Sequence, residues 1–363
     1  MKKIVGLLLA VGLAFTLAAC AGADEGFRIA MVTDIGDIDD RSFNQGTWEG
    51  VVAFAERNNI THRYYRPLEG GTAASLDAIA LAVQGGAEII VTPGFLFEPA
   101  IFQAQQLYPN VRFVLIDGVP QPGDFSEFLV AQNTVSILFD EHESGFLAGY
   151  AAVQDGFREL GYFGGVAVPA VVRFGVGFIA GANYAAEELG VTISLGSDRF
   201  DYFGSFAPSD DNKNAAAAWY LQGTEIIFVA AGGAGASVMA AAEEAGAKVI
   251  GVDVDQAGES TTVVTSALKQ LGVVVEQALQ AWLDGAFPGG ETQVKGATNQ
   301  GVGLPADFSR FNNPAATEAA YNAIYPLVAS GEIDVPATYE ELVAFLTAEG
   351  ISTANIPLQS DVE

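Results

Sequence analysis

The chain has 363 residues, half of them hydrophobic, enough for two lobes with cores of their own. Its formal charge of -28, from 44 acidic against 16 basic residues scattered along the chain, repels nucleic acid and other polyanions and argues against them as partners. A single cysteine, Cys20, excludes an internal disulfide.

The chain opens on Lys2 and Lys3, continues with an apolar run from Ile4 to Leu17, and reaches Cys20 through Ala18 and Ala19. A charged end, a hydrophobic segment and small residues before a cleavage point make an export signal. LAAC followed by Ala21 places Cys20 where a bacterial lipoprotein signal has its acylated residue. Residues 1-20 are therefore expected to be a leader, with Cys20 as the lipidated start of the mature chain. The apolar run is short of the ~20 residues that a spanning helix needs. The expectation is a soluble body outside the cytoplasm, held to the cell membrane by lipid alone, since a diacylglycerol plus an amide-linked chain suffices for stable anchoring. Loss of Lys2 and Lys3 takes the charge to about -30, read as a solvated surface.

From Phe27 the chain alternates strand-like apolar runs with helical spacing. FRIAMVTDI, RYYRPL, AEIIVTPG, VRFVLIDG and EFLVAQNTV are separated by helices near residues 42–57, 73–84 and 99–107. YFGGVAVP, VTISLGS, TEIIFVAAGG, KVIGVDVD and TTVVTSAL repeat the theme, followed by a helix over 270–285, the strand-like TQVKGATNQ, and helices around 315–329 and 339–348. Alternation with continuous, β-branched strand cores predicts an α/β fold with parallel sheets covered on both faces, in two doubly wound lobes. The chain is expected to pass between lobes near 134–141.

Polar, glycine or aromatic residues end the strands: Thr33 and Asp34, Pro93 and Gly94, Asp117 and Gly118, Gly204 to Phe206, Gly232 and Gly233, and Asp253. In an open α/β sheet the ligand crevice lies beyond the carboxyl ends of the strands, so these loops would face one another across a cleft. The densest is TDIGDIDDRSFNQGTWEG, residues 33–50. Ser42 is a candidate helix N-cap, with Phe43, Trp48, Val51, Val52 and Ala55 as an apolar stripe behind it. A calcium loop is excluded, because the glycine at its sixth and the glutamate at its twelfth position fall out of register from Asp34 and from Asp37.

Enzyme chemistry finds little support. His62 and His142 lack partners at metal spacing, no G-x-S-x-G elbow occurs, and GGAGAS has Val238 where a dinucleotide fingerprint has its third glycine. No metal and no cofactor is implied.

DIGDIDDRSFNQGTWEG resembles the signature of the basic membrane protein family, purine nucleoside receptor lipoproteins that serve ABC importers. The resemblance continues in order through FLAGYAA at Phe146, VAAGGAG at Val229, VIGVDVDQ at Val249, TSALK at Thr265 and SGEIDVP near the end. It implies a type I periplasmic binding protein fold with a three-stranded hinge. Its lobes would be 27-137 plus 268-299 and 138-267 plus 300-355, with further crossings near Ser266 and Gln300. It implies a purine nucleoside as ligand, ABC permease subunits as partners and a monomer touching the membrane only through its anchor. By the same resemblance Asp34 accepts from the base, Phe43 is one face of an aromatic sandwich and Asn44 a neighbouring polar contact, with Asp117 a second acid. The opposing ring is Phe206, with Phe203 and Phe178 as alternatives. Gly232 lets the backbone approach the ligand, and Asp253 with Lys269 holds the ribose hydroxyls.

Physical chemistry agrees with that assignment. Two rings can sandwich a purine at ~0.5–1.5 kcal/mol per aromatic contact beyond burial. Carboxylates accept from amino and hydroxyl donors in charge-assisted bonds, and Lys269 would offset their desolvation. Several acids with one lysine make a poor phosphate site, so a neutral nucleoside is expected and a nucleotide is not. The alternative on the same fold is riboflavin or another small solute, or a role as a ligand sensor.

Overall fold

The computed structural model describes residues 28–354 and 356–357; the expected leader, Cys20 and Phe27 lie outside the described residues. In chain order the elements are β1 (Ile29–Val32), α1 (Phe43–Arg57), β2 (His62–Tyr65), α2 (Thr72–Gln84), β3 (Ile89–Pro93), α3 (Glu98–Leu107), β4 (Arg112–Ile116) and β5 (Thr134–Phe139). There follow α4 (Glu141–Gln154), β6 (Leu160–Gly164), α5 (Pro169–Leu189), β7 (Phe200–Tyr202), α6 (Asp210–Leu221), β8 (Ile226–Ala230), α7 (Gly235–Ala245), β9 (Lys248–Asp253) and β10 (Val263–Lys269). The last are α8 (Leu271–Leu283), β11 (Glu291–Lys295), β12 (Val302–Gly303), α9 (Pro314–Ala329) and α10 (Tyr339–Ala348).

The strands form two six-stranded sheets of matching topology, β2-β1-β3-β4-β5-β11 and β7-β6-β8-β9-β10-β12. All pairs in the first are parallel; in the second only β12 runs antiparallel, against β10. β1, β3, β6 and β8 are buried along their whole length, which is why their sequences read as unbroken apolar runs. Because β5, β10 and β11 each end in a segment entering the other lobe, three connections join the lobes. Pairing of β5 runs to Phe139 and that of β10 to Lys269.

Two strand expectations shift. The pairing expected over EFLVAQNTV begins only at Thr134, because residues 127–133 wrap α3: Gln105 Nε2 donates to Leu129 O at 2.9 Å and its Oε1 accepts from Ala131 N at 3.0 Å. In VTISLGS only Ser194 forms a bridge, to Glu159, and β7 proper follows the turn at Gly196.

FLAGYAA owes its glycine to a helix contact. A Cβ on Gly145 or Gly149 of α4, or on Gly177 or Gly181 of α5, would run into backbone of the facing helix. The two helices touch main chain to main chain, and this contact sets the first turn of α5 over the space between the lobes. Among the described residues no helix is long and apolar enough to cross a membrane.

Candidate functional site

The carboxyl ends of both sheets face a cavity between the lobes, part of it open to solvent, the place where an open α/β sheet binds its ligand. All eight sequence-derived candidates line it: Asp34, Phe43, Asn44, Asp117, Phe206, Gly232, Asp253 and Lys269. Phe203 and Phe178 do not. Phe203 stacks on Phe163 in the core, with centroids 4.4 Å apart, and Phe178 is wholly buried against Phe228. Phe206 keeps its place because Gly165 leaves room for its ring, with which a Cβ there would collide.

The loop after β1 is organised by Asp40. Its Oδ1 accepts from the backbone N–H groups of Ser42 and Gln45 at 2.9 and 3.0 Å, and its Oδ2 from Asn44 N and Nδ2 at 2.9 and 3.0 Å. Asp40 thus satisfies the free N–H groups at the start of α1. Ser42, the expected N-cap, makes no capping bond. It crosses the cleft instead, donating Oγ–H to Asp253 Oδ2 at 2.5 Å. Arg41 extends the bridge: its guanidinium pairs with Glu259 at 2.8 Å and its carbonyl accepts from Gln256 Nε2 at 2.7 Å. Asp37 pairs with Arg66, which leaves it to scaffold the loop.

Asp34 Oδ1 accepts from Gly36 N at 2.7 Å and Asn44 Nδ2 at 3.0 Å. Burial raises its pKa, and those two bonds partly offset the rise. With its amide donors committed to Asp34 and Asp40, Asn44 has a buried Oδ1 that lacks a hydrogen-bond partner. Asp117 Oδ1 is likewise buried and unpartnered. These two acceptors suit a ligand that brings donors.

Asp117, just after β4, and Asp253, at the end of β9, lie in the left-handed backbone region, with φ of 60° and 65°. Such strain in non-glycine residues concentrates at functional positions. Burial pushes Asp117 up to about 7, with Lys269 offsetting part of the rise. Burial likewise pushes Asp253 up to about 6 against the pull of Lys269 and Ser42. Lys269 ends β10 with its side chain buried between the Asp117 carboxylate and Glu141 Oε1, the latter at 3.1 Å. Its Nζ lies 4.7 Å from the Phe43 ring centroid and 5.0 Å from that of Phe139. Burial would lower its pKa, but Asp117, Glu141 and Asp253 more than offset this and keep it charged.

Sequence reading missed several wall residues. Phe95 and Leu96 follow β3, and Val168, Ala170, Val171 and Phe174 come from the start of α5. The Gly94 after Pro93 was a usable signal for the first pair; the α5 residues carry none, since an apolar helix start reads as core.

Two parallel α/β lobes, joined by three connections and lined with facing polar groups across one cavity, define a solute-binding protein of the type I periplasmic binding protein fold. The chain belongs to the Bmp family of PnrA-like ABC transporter substrate-binding proteins, whose family model matches residues 27–338. It is 30% identical to the ABC transporter nucleoside-binding protein BmpA of Lactococcus lactis over 93% of this chain and 99% of that protein. It is 28% identical to basic membrane protein D of Borreliella burgdorferi over 88% and 92% of the two chains. A solved ABC-system solute-binding protein from Aeropyrum pernix K1 superposes with a TM-score of 0.74 at 22% identity, over 88% of this chain and 98% of its own, a likeness of fold. The family is one of transport substrate-binding proteins.

Proposed function

We propose that the protein captures a purine nucleoside between its lobes and delivers it to an ABC permease, acting as a monomer anchored outside the cytoplasm through Cys20. The observation that carries this reading is the convergence of two aromatic rings, Phe43 and Phe206, with two unpartnered acceptors, Asn44 Oδ1 and Asp117 Oδ1, in one cavity. The rings suit a flat base and the acceptors suit amino and hydroxyl donors. A ligand that binds the closed arrangement more tightly than an open one is all that a hinge requires. The lobes 27-137 plus 268-299 and 138-267 plus 300-355 would act as its jaws.

Titration calorimetry of the body without its leader, against adenosine, guanosine, inosine, cytidine, free bases, riboflavin and ribose, tests the ligand class. Purine nucleosides are expected to bind; binding of riboflavin with no response to any nucleoside would sink the reading. Phe43→Ala and Asp253→Ala should each weaken the nucleoside about tenfold or more, taking ~1.4 kcal/mol as tenfold, and unchanged affinity in both would mean that the ligand sits elsewhere. Cys20→Ala should shift the expressed protein from the membrane to the soluble fraction. Its retention with the membrane would rule out lipid as the anchor.

A further inference from the structure

We propose that Glu141 is a positioning residue of the binding site, holding the Lys269 ammonium by charge so that an N–H not taken by Asp117 serves the ligand's hydroxyls; the proposal rests on the nucleoside reading above. Glu141 is absent from the cavity wall and wholly buried behind it, so it can act on a ligand only through a neighbour. Its Oε1 lies 3.1 Å from Lys269 Nζ, and its Oε2 accepts from Arg173 Nε at 2.6 Å. An ammonium has three N–H donors and no acceptor. Asp117 Oδ2 accepts from one; Glu141 Oε1 pairs with the ammonium by charge but lies outside hydrogen-bond geometry, so the N–H groups not used by Asp117 remain for the cavity that Lys269 lines.

The placement in the fold bears on closure. Asp117 follows β4 in the first lobe, Lys269 ends β10 where one connection leaves the second sheet, and Glu141 opens α4 just after β5 leaves the first. Arg173, on α5, neighbours the cavity-lining Val171 and Phe174. Charges alternate along Asp117, Lys269, Glu141 and Arg173, so the row is neutral overall, as burial of ions demands. Burial would push the Glu141 carboxyl up, but Lys269 and Arg173 outweigh it and hold Glu141 below the usual carboxylate range. It stays ionised. An apolar residue at 141 would leave the ammonium with one carboxylate and freedom to turn away from the ligand.

The test compares adenosine with 2′,3′-dideoxyadenosine, by calorimetry, on the wild-type body and on Glu141→Gln, which keeps shape and removes charge. Adenosine affinity should fall about tenfold, while the dideoxy analogue, having no hydroxyls for Lys269, should lose less than about twofold. Equal losses for both ligands would make Glu141 merely structural, and unchanged adenosine affinity would overturn the proposal outright. Failure of the wild-type protein to bind adenosine would instead strike the nucleoside reading. Should circular dichroism show Glu141→Gln unfolded, Arg173→Gln, which frees the far oxygen of Glu141 but keeps the pair with Lys269, should show the same hydroxyl-dependent loss in smaller measure. A loss blind to the hydroxyls there would overturn the proposal as well.

Discussion

Lys269→Met is expected to destabilise the protein by about 3–5 kcal/mol at pH 8, the cost of leaving buried carboxylates without their cation. Asp117 and Glu141 both face this ammonium in the closed interior. The deficit should shrink towards pH 5. Without the ammonium the Asp117 carboxyl, already raised by burial, is pushed further above its unfolded value near 4, so the folded state holds a proton that the unfolded state has released, and its stability falls as the pH rises. Urea denaturation at pH 5 and pH 8 reads both effects. A loss below about 1 kcal/mol at pH 8 would show that the ammonium is not what permits burial of the two acids. Lys269→Met with Asp117→Asn should recover part of the loss, because one uncompensated charge is then gone.

Adenosine affinity is expected to rise by on the order of a thousandfold between pH 5 and pH 8, at about tenfold per pH unit for each proton that must leave, roughly two units from Asp117 and one from Asp253. Burial pushes Asp117 up to about 7 and Asp253 up to about 6, and Asp34 is raised in the same direction. Below those values the ligand-free protein carries protons on the carboxyls that ligand hydroxyls and amino groups would donate to, and binding must expel them. Stability without ligand takes the opposite sign from these same groups. Their contribution is full below the unfolded values near 4 and is lost as the pH rises through about 6 to 7, while Glu141, held low, opposes it. Calorimetry across the range checks the prediction, and Asp253→Asn should flatten the part of the profile near pH 6. A pH-independent affinity in the wild-type protein would mean that neither carboxylate accepts from the ligand.

Much of the fold was legible because parallel strands buried on both faces must be continuously apolar, so each of β1, β3, β8 and β9 announces itself. The exceptions are instructive. Residues 127–133 have strand composition, yet Gln105 on α3 captures their main chain. Ser42 has the residue type and spacing of an N-cap, yet Asp40 does the capping and Ser42 turns to Asp253, 211 residues away.

By itself the sequence determined the α/β alternation and the polar strand ends, among them Asp34, Asp117, Phe206, Gly232 and Asp253, because a doubly wound sheet brings its strand ends to one edge; Phe43, Asn44 and Lys269 as contacts came from the family resemblance. The family signature sharpened their roles. Only the tertiary structure decided that Phe206, and neither Phe203 nor Phe178, reaches the cavity, since three phenylalanines with similar surroundings in sequence differ only in what packs against them. It alone brought Glu141 and Arg173 to Lys269, and Ser42 to Asp253. Ser42 and Asp253 meet across the lobes, while Glu141, Arg173 and Lys269 come together from α4, α5 and the end of β10, and no local periodicity encodes which residues so far apart in the chain will meet.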